Sequence, residues 1–204
     1  MHILRLWEAL AFLLLQAAAA QQVTDLSTYS WTLQNLPLNI SVPATIPSQA
    51  HLDLLASGVV VELEYGLADS GLRWIWMQNW TYTTTLSGLN SSVSQTYLLF
   101  QGLDTFTSIE LCGQHVAATN NQFRQYYFDV TDVLSDCALD PDLSINFGSA
   151  PQIAENIANE PGQETWPYGT QITFEIPNRQ YIRKEQNDFG WDWYGRSAIL
   201  LATY

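Results

Sequence analysis

Hydrophobic and polar positions alternate with a period of two through much of the chain. In residues 74–82, WIWMQNWTY, the side chains of Trp74, Trp76, Trp80 and Tyr82 fall on one face with Gln78 between them, the pattern of a half-buried strand. Runs rich in β-branched and aromatic residues predict further strands over 96–101, 105–111, 115–118, 123–130, 143–147 and 171–176. Cys112-Gly113-Gln114 reads as a hairpin turn, with Gly113 supplying the unusual φ.

Helical signals are short. Ser48 is placed to cap a turn holding Leu52, Leu55 and Ala56, and Gly58 falls where that helix would stop. A single turn is expected over 131–134, and Ile153 and Ile157 share a face of another that begins after Pro151. Pro37, Pro43 and Pro47 confine 36–49 to extended or edge segments, and 161–169 reads as a long polar loop. Many short strands with turn residues between them predict an all-β chain folded as a β-sandwich with a few short helical turns.

The first twenty residues break the pattern. His2 and Arg5 precede an apolar run centred on 12–15, and four alanines, Ala17 to Ala20, precede Gln21. This is the layout of a secretory signal peptide cleaved near Ala20, and its apolar run is too short to span a bilayer. The mature protein is expected to be extracellular, with one domain of roughly 180 residues, long enough for a sizeable core.

Charge narrows the partners. Twenty acidic residues against seven basic ones give a net charge of −13, which repels phosphates and argues against nucleic acid and anionic membranes. Asn39-Ile-Ser41, Asn79-Trp-Thr81 and Asn90-Ser-Ser92 are N-glycosylation sequons suited to the secretory route. Cys112 and Cys137 are the only cysteines. In an oxidising compartment they read as a disulfide, or else as two buried thiols. The mature chain has only His51 and His115, far apart, so neither a metal site nor a cofactor is expected.

Chemistry concentrates in residues 178–193, NRQYIRKEQNDFGWDW. Arg179, Arg183 and Lys184 supply three of the seven basic residues, and a carboxylate, Asp192, sits between Trp191 and Trp193. Indole faces pack on the C–H faces of sugar rings, and a carboxylate accepts hydrogen bonds from neighbouring hydroxyls. A second reading stands beside it: on a strand Trp191 and Trp193 would share one face as core, with Asp192 turned to solvent.

The segments WTLQNLPLNISVPATIPSQAHLDLL, LRWIWMQNWTY, FQGLDTFTSIELCGQHVA, NQFRQYYFDVTDVL, LSINFGSAP, PGQETWPYG and FEIPNRQYIRKEQNDFGWDW resemble the amino-terminal domain of fungal secreted β-mannosidases of glycoside hydrolase family two. That resemblance covers about residues 31–193. It implies a jelly-roll, galactose-binding-like sugar-binding domain over 21–193, in which Trp191, Asp192 and Trp193 reach into the pocket for a terminal mannose. It further implies a polypeptide that hydrolyses terminal β-D-mannose from β-mannosides or mannose-terminated oligosaccharides by retaining double displacement, with a homodimer as the full-length enzyme's expected assembly.

Both catalytic glutamates of the family belong to a later (β/α)₈ barrel, so this chain by itself is expected to be inactive. Retaining chemistry needs two carboxyl groups about 5 Å apart. Asp192 with Glu185 or Asp188 is the nearest candidate pair, but acids beside Arg179, Arg183 and Lys184 read better as ion pairs or solvated surface. Glu62 and Glu64 read as ordinary surface. Nucleophile elbows, Walker loops and dinucleotide-binding turns do not occur in the sequence.

Residues 194–204 depart from the family pattern, and the expectation is a truncated product or a misread gene. The apolar tail either fills a vacant sheet edge or promotes aggregation. The alternative function is a non-catalytic sugar-binding or degenerate protein.

Overall fold

The computed structural model describes residues 22–62, 66, 71–89, 95–137, 140–164, 178–185 and 201–203. Among these, nine strands form two antiparallel sheets. The strands are β1 (Trp31–Asn35), β2 (Ile40–Ala44), β3 (Trp80–Thr85), β4 (Tyr97–Leu103), β5 (Phe106–Leu111), β6 (Gln114–Asn120), β7 (Tyr126–Asp129), β8 (Asp142–Phe147) and β9 (Leu201–Thr203). The larger sheet runs β2-β1-β3-β8-β5-β6 and the smaller β7-β4-β9.

Alternation explains the inward faces. Trp31 and Leu33 of β1, Trp80 and Tyr82 of β3, Ile109 and Leu111 of β5, and Leu143, Ile145 and Phe147 of β8 are buried. They join Leu98, Phe100 and Leu103 from the smaller sheet in one apolar core, so the two sheets form a sandwich. Tyr82 meets Phe147 edge-on at 5.8 Å, and Phe100 lies 6.3 Å from Phe128. Each such fully buried side chain contributes roughly 1.5–3 kcal/mol.

Short helices occupy connections: α1 (Ala50–Ala56), α2 (Thr131–Ser135) and α3 (Ala150–Ala158). α1 ends as the sequence predicts. Gly58 takes φ +70, its N–H donates to Leu55 O at 2.9 Å, and Val59 N–H reaches Leu54 O at 2.9 Å, closing the otherwise orphaned carbonyls. Its start differs. Gln49 occupies the cap position without a side-chain bond, and the Ser48 hydroxyl donates to Asp53 Oδ1 instead.

That bond belongs to a buried hub. Asp53 also accepts from Thr45 N–H at 3.1 Å, from the Thr45 hydroxyl and from the Tyr82 hydroxyl at 2.9 Å. Several donors satisfy a carboxylate that would otherwise be costly to bury. Burial, with the Asp53 carboxylate beside it, pushes the Tyr82 hydroxyl's pKa up.

Two predicted strands are shorter than expected. Strand β3 begins only at Trp80, because i→i+3 bonds from Ile75 to Leu72, Met77 to Trp74 and Gln78 to Ile75 coil the preceding residues into turns. The turns bring Trp74 to 6.1 Å from Trp80, whose indole N–H donates to Ile75 O. Trp76 packs in a separate cluster with α3, so tryptophans two apart reach different surroundings. The run 123–130 pairs only over β7, because Asn121 Oδ1 binds Phe123 N–H and turns the chain first. The predicted strand 171–176 lies outside the described residues.

At the β5–β6 hairpin, Leu111 pairs with Gln114 across a two-residue loop. Cys112 and Gly113 both take positive φ, 53° and 73°, as a type I′ turn requires, so the cysteine shares the conformation expected of glycine alone. Cys112 is bonded to Cys137, just after α2.

Candidate functional site

The route toward the candidate triplet is described as far as Glu185. A 3-10 turn, Arg179–Tyr181, follows Asn178, which takes a left-handed φ of 59°. The Tyr181 hydroxyl donates to Glu164 O, and Ile182 inserts into an apolar cluster with Ala150 and Ala154 of α3. These contacts fix the segment's near end.

Its far end is clamped to the β4–β5 and β6–β7 connections. Arg183 forms a parallel bridge with Asn121, Gln122 N–H donates to Arg183 O at 2.9 Å, and Glu185 N–H donates to Gln122 Oε1 at 2.9 Å. Between them Lys184 Nζ lies 2.9 Å from Asp104 Oδ2, with both side chains 1% exposed. The Thr105 hydroxyl also donates to Asp104. Gly102 makes this approach feasible, since a Cβ there would come within 3.0 Å of Gln122 O.

Such a pair is a structural anchor. Two ions are withdrawn from water, and the cost of that is offset only while both remain together. Lys184 is the sole lysine, and its partner shows no relation to it in the local pattern of the sequence. Asp104 and Gln122 were therefore missed as members of this region. The charged neighbours separate: Arg183 and Glu185 are exposed while Lys184 is buried.

Of the residues singled out from sequence, Trp191, Asp192 and Trp193 lie outside the described residues, as do Asp188 and the sequon residue Asn90. Asn39 is exposed after the turn between β1 and β2. Asn79 precedes β3, and its Oδ1 accepts from Ser149 N–H at 2.8 Å. Cys112 and Cys137 are joined, with their Cα atoms 5.9 Å apart. Glu62 is exposed, and Glu64 lies outside the described residues.

In α1, desolvation lowers the pKa of His51 to about 4, against an opposing pull from Glu62. Among the described residues, no group of three or more His, Cys, Asp or Glu side chains is arranged to hold a metal ion. No helix among them is long and apolar enough to cross a membrane.

Two antiparallel sheets closing on one apolar core, with short helices confined to connections, define a β-sandwich. The sequence matches the glycosyl hydrolase 2 galactose-binding domain-like family over residues 31–201, and the chain belongs to that family. It is 54% identical over 178 residues to β-mannosidase A of Aspergillus aculeatus, a match covering 87% of this chain and 19% of that protein. Against β-mannosidase A of Aspergillus niger the identity is 52% over 193 residues, covering 94% of this chain and 21% of the relative. Among solved structures, the β-D-mannosidase of Dictyoglomus thermophilum is 25% identical with a TM-score of 0.75, over 90% of this chain and 23% of its own. The chain thus spans about a fifth of the length of the curated relatives it matches.

Proposed function

We propose that this chain is the amino-terminal sugar-binding portion of a secreted, glycosylated β-mannosidase that removes terminal β-D-mannose from β-mannosides. The observation that carries the proposal is identity above 50% to two β-mannosidases across nearly the whole chain, on a sandwich also found in a bacterial β-mannosidase. In this reading Trp191 and Trp193 line the apolar side of the mannose pocket, and Asp192 accepts hydrogen bonds from sugar hydroxyls. The nucleophile and the acid/base belong to the rest of the polypeptide, where two carboxyl groups about 5 Å apart perform the double displacement. The clamp at Lys184 and Gln122 supports this role by holding firm the segment that leads toward the triplet.

The test is the mass and activity of the native secreted protein, captured through an internal peptide such as that spanning Tyr126–Asp129. A species several times heavier than this chain, active on an aryl β-mannoside, is the expected result. A species of this chain's own size that binds mannose without hydrolysing β-mannosides would refute the proposal and leave a non-catalytic sugar-binding protein.

A further inference from the structure

The two described sequons are both exposed at their asparagines but differ in how the side chain is held. Asn79 is tied into the fold: its Oδ1 takes the Ser149 N–H at 2.8 Å, its carbonyl accepts from Asn35 Nδ2, and the Thr81 hydroxyl accepts from Asn146 Nδ2. Asn39 is held through its backbone. It ends the Leu36–Leu38 turn at the tip of the β1–β2 hairpin, with φ 53° and ψ 40°. Its backbone N–H donates to Leu36 O at 3.0 Å, its side-chain amide makes no hydrogen bond among the described residues, and both Asn39 and Ser41 are exposed.

The tip around Asn39 is apolar. Leu36 is 78% exposed and Leu38 43%. Directly beyond it lies β2, an edge strand of the larger sheet in which Pro43 removes one backbone donor. Exposed leucines beside an open strand edge form a template for association with another chain.

From this juxtaposition we infer that Asn39 carries an N-glycan whose role is to cover the Leu36–Leu38 tip and the β2 edge. The donor is a polyprenyl-pyrophosphate oligosaccharide. Its anomeric C–O bond to pyrophosphate breaks, a C–N bond forms to Asn39 Nδ2, that nitrogen loses one proton, and polyprenyl pyrophosphate leaves. A bulky hydrated glycan at a left-handed hairpin tip blocks strand addition without touching the core. The inference rests on the secretory reading above, because the donor and its transferase meet only exported chains.

The test begins with peptide mapping of the native protein from culture fluid before and after enzymatic removal of N-glycans, which converts an occupied asparagine to aspartate. The expected result is an occupied Asn39. Asn39→Gln should leave the thermal midpoint unchanged but raise light scattering at least about twofold on concentration, and Leu36→Ser with Leu38→Ser in that background should restore solubility. A bare Asn39 on an extracellular protein overturns the inference and spares the secretory reading, as does an Asn39→Gln protein that stays as soluble as wild type. Retention in the cell with every sequon bare overturns both.

Discussion

Replacing Lys184 by Met tests the anchor on the path toward the candidate triplet. Methionine keeps most of the apolar stem and removes the ammonium 2.9 Å from Asp104. The carboxylate stays buried with the Thr105 hydroxyl and no ammonium facing it. Breaking one side of such a pair costs about 3–5 kcal/mol, because the remaining ion is neither solvated nor matched. For a domain of this size, each kcal/mol lowers the melting temperature by about 2–4 °C, so the drop should be roughly 6–20 °C. Neutralising the partner as well, in Lys184→Met with Asp104→Asn, removes the stranded charge and should recover a large part of the loss. Urea unfolding followed by tryptophan fluorescence measures both variants. A single substitution costing under about 1 kcal/mol, or a double variant no more stable than the worse single one, would refute the anchor.

Other substitutions probe other parts of the fold and site. Asp53→Ala strands the Tyr82, Ser48 and Thr45 donors and should cost about 3–5 kcal/mol, whereas Tyr82→Phe removes one bond and should cost about 1–2 kcal/mol; equal losses in urea melts would contradict the hub. Cys112→Ser with Cys137→Ser opens a loop of 25 residues and should lower stability by about 3 kcal/mol, read from the same melts. His51 has a folded pKa of about 4, below its unfolded value, so the unfolded chain binds the extra proton; stability should fall as pH drops from about 6.5 toward 4, and His51→Gln should flatten that slope relative to wild type in melts across the window. In the whole native polypeptide, Asp192→Ala should lower kcat/KM on an aryl β-mannoside by roughly 10–100-fold, the worth of one or two charge-assisted hydrogen bonds, and an unchanged value would remove Asp192 from the pocket.

The clamp ends a few residues before the triplet of the proposed function. The sugar-contacting triplet proposed here begins six positions after Glu185, the last residue described on that path. Residues 182–185 are held by an apolar cluster, a backbone bridge, a side-chain amide and a buried ion pair. Such a support orders residues 182–185 before any ligand arrives.

What the sequence determined by itself was whatever repeats or punctuates locally. Period-two burial in β5 and β8 marks the inward faces, Gly58 stops α1, and the quoted segments carry the resemblance to glycoside hydrolase family two. Residue types around Trp191, Asp192 and Trp193 point to a candidate sugar site that lies outside the described residues. Tertiary structure decided the pairings between distant positions. The run 74–82 alternates like a strand, yet its first residues coil, because turns let Trp74 and Trp76 pack against different elements. Nothing near Lys184 names Asp104, nothing near Glu185 names Gln122, and nothing near Tyr82 names Asp53. Such partners are selected by which backbones the folded sheets bring within hydrogen-bond reach, and a buried charge then accepts only what that geometry supplies.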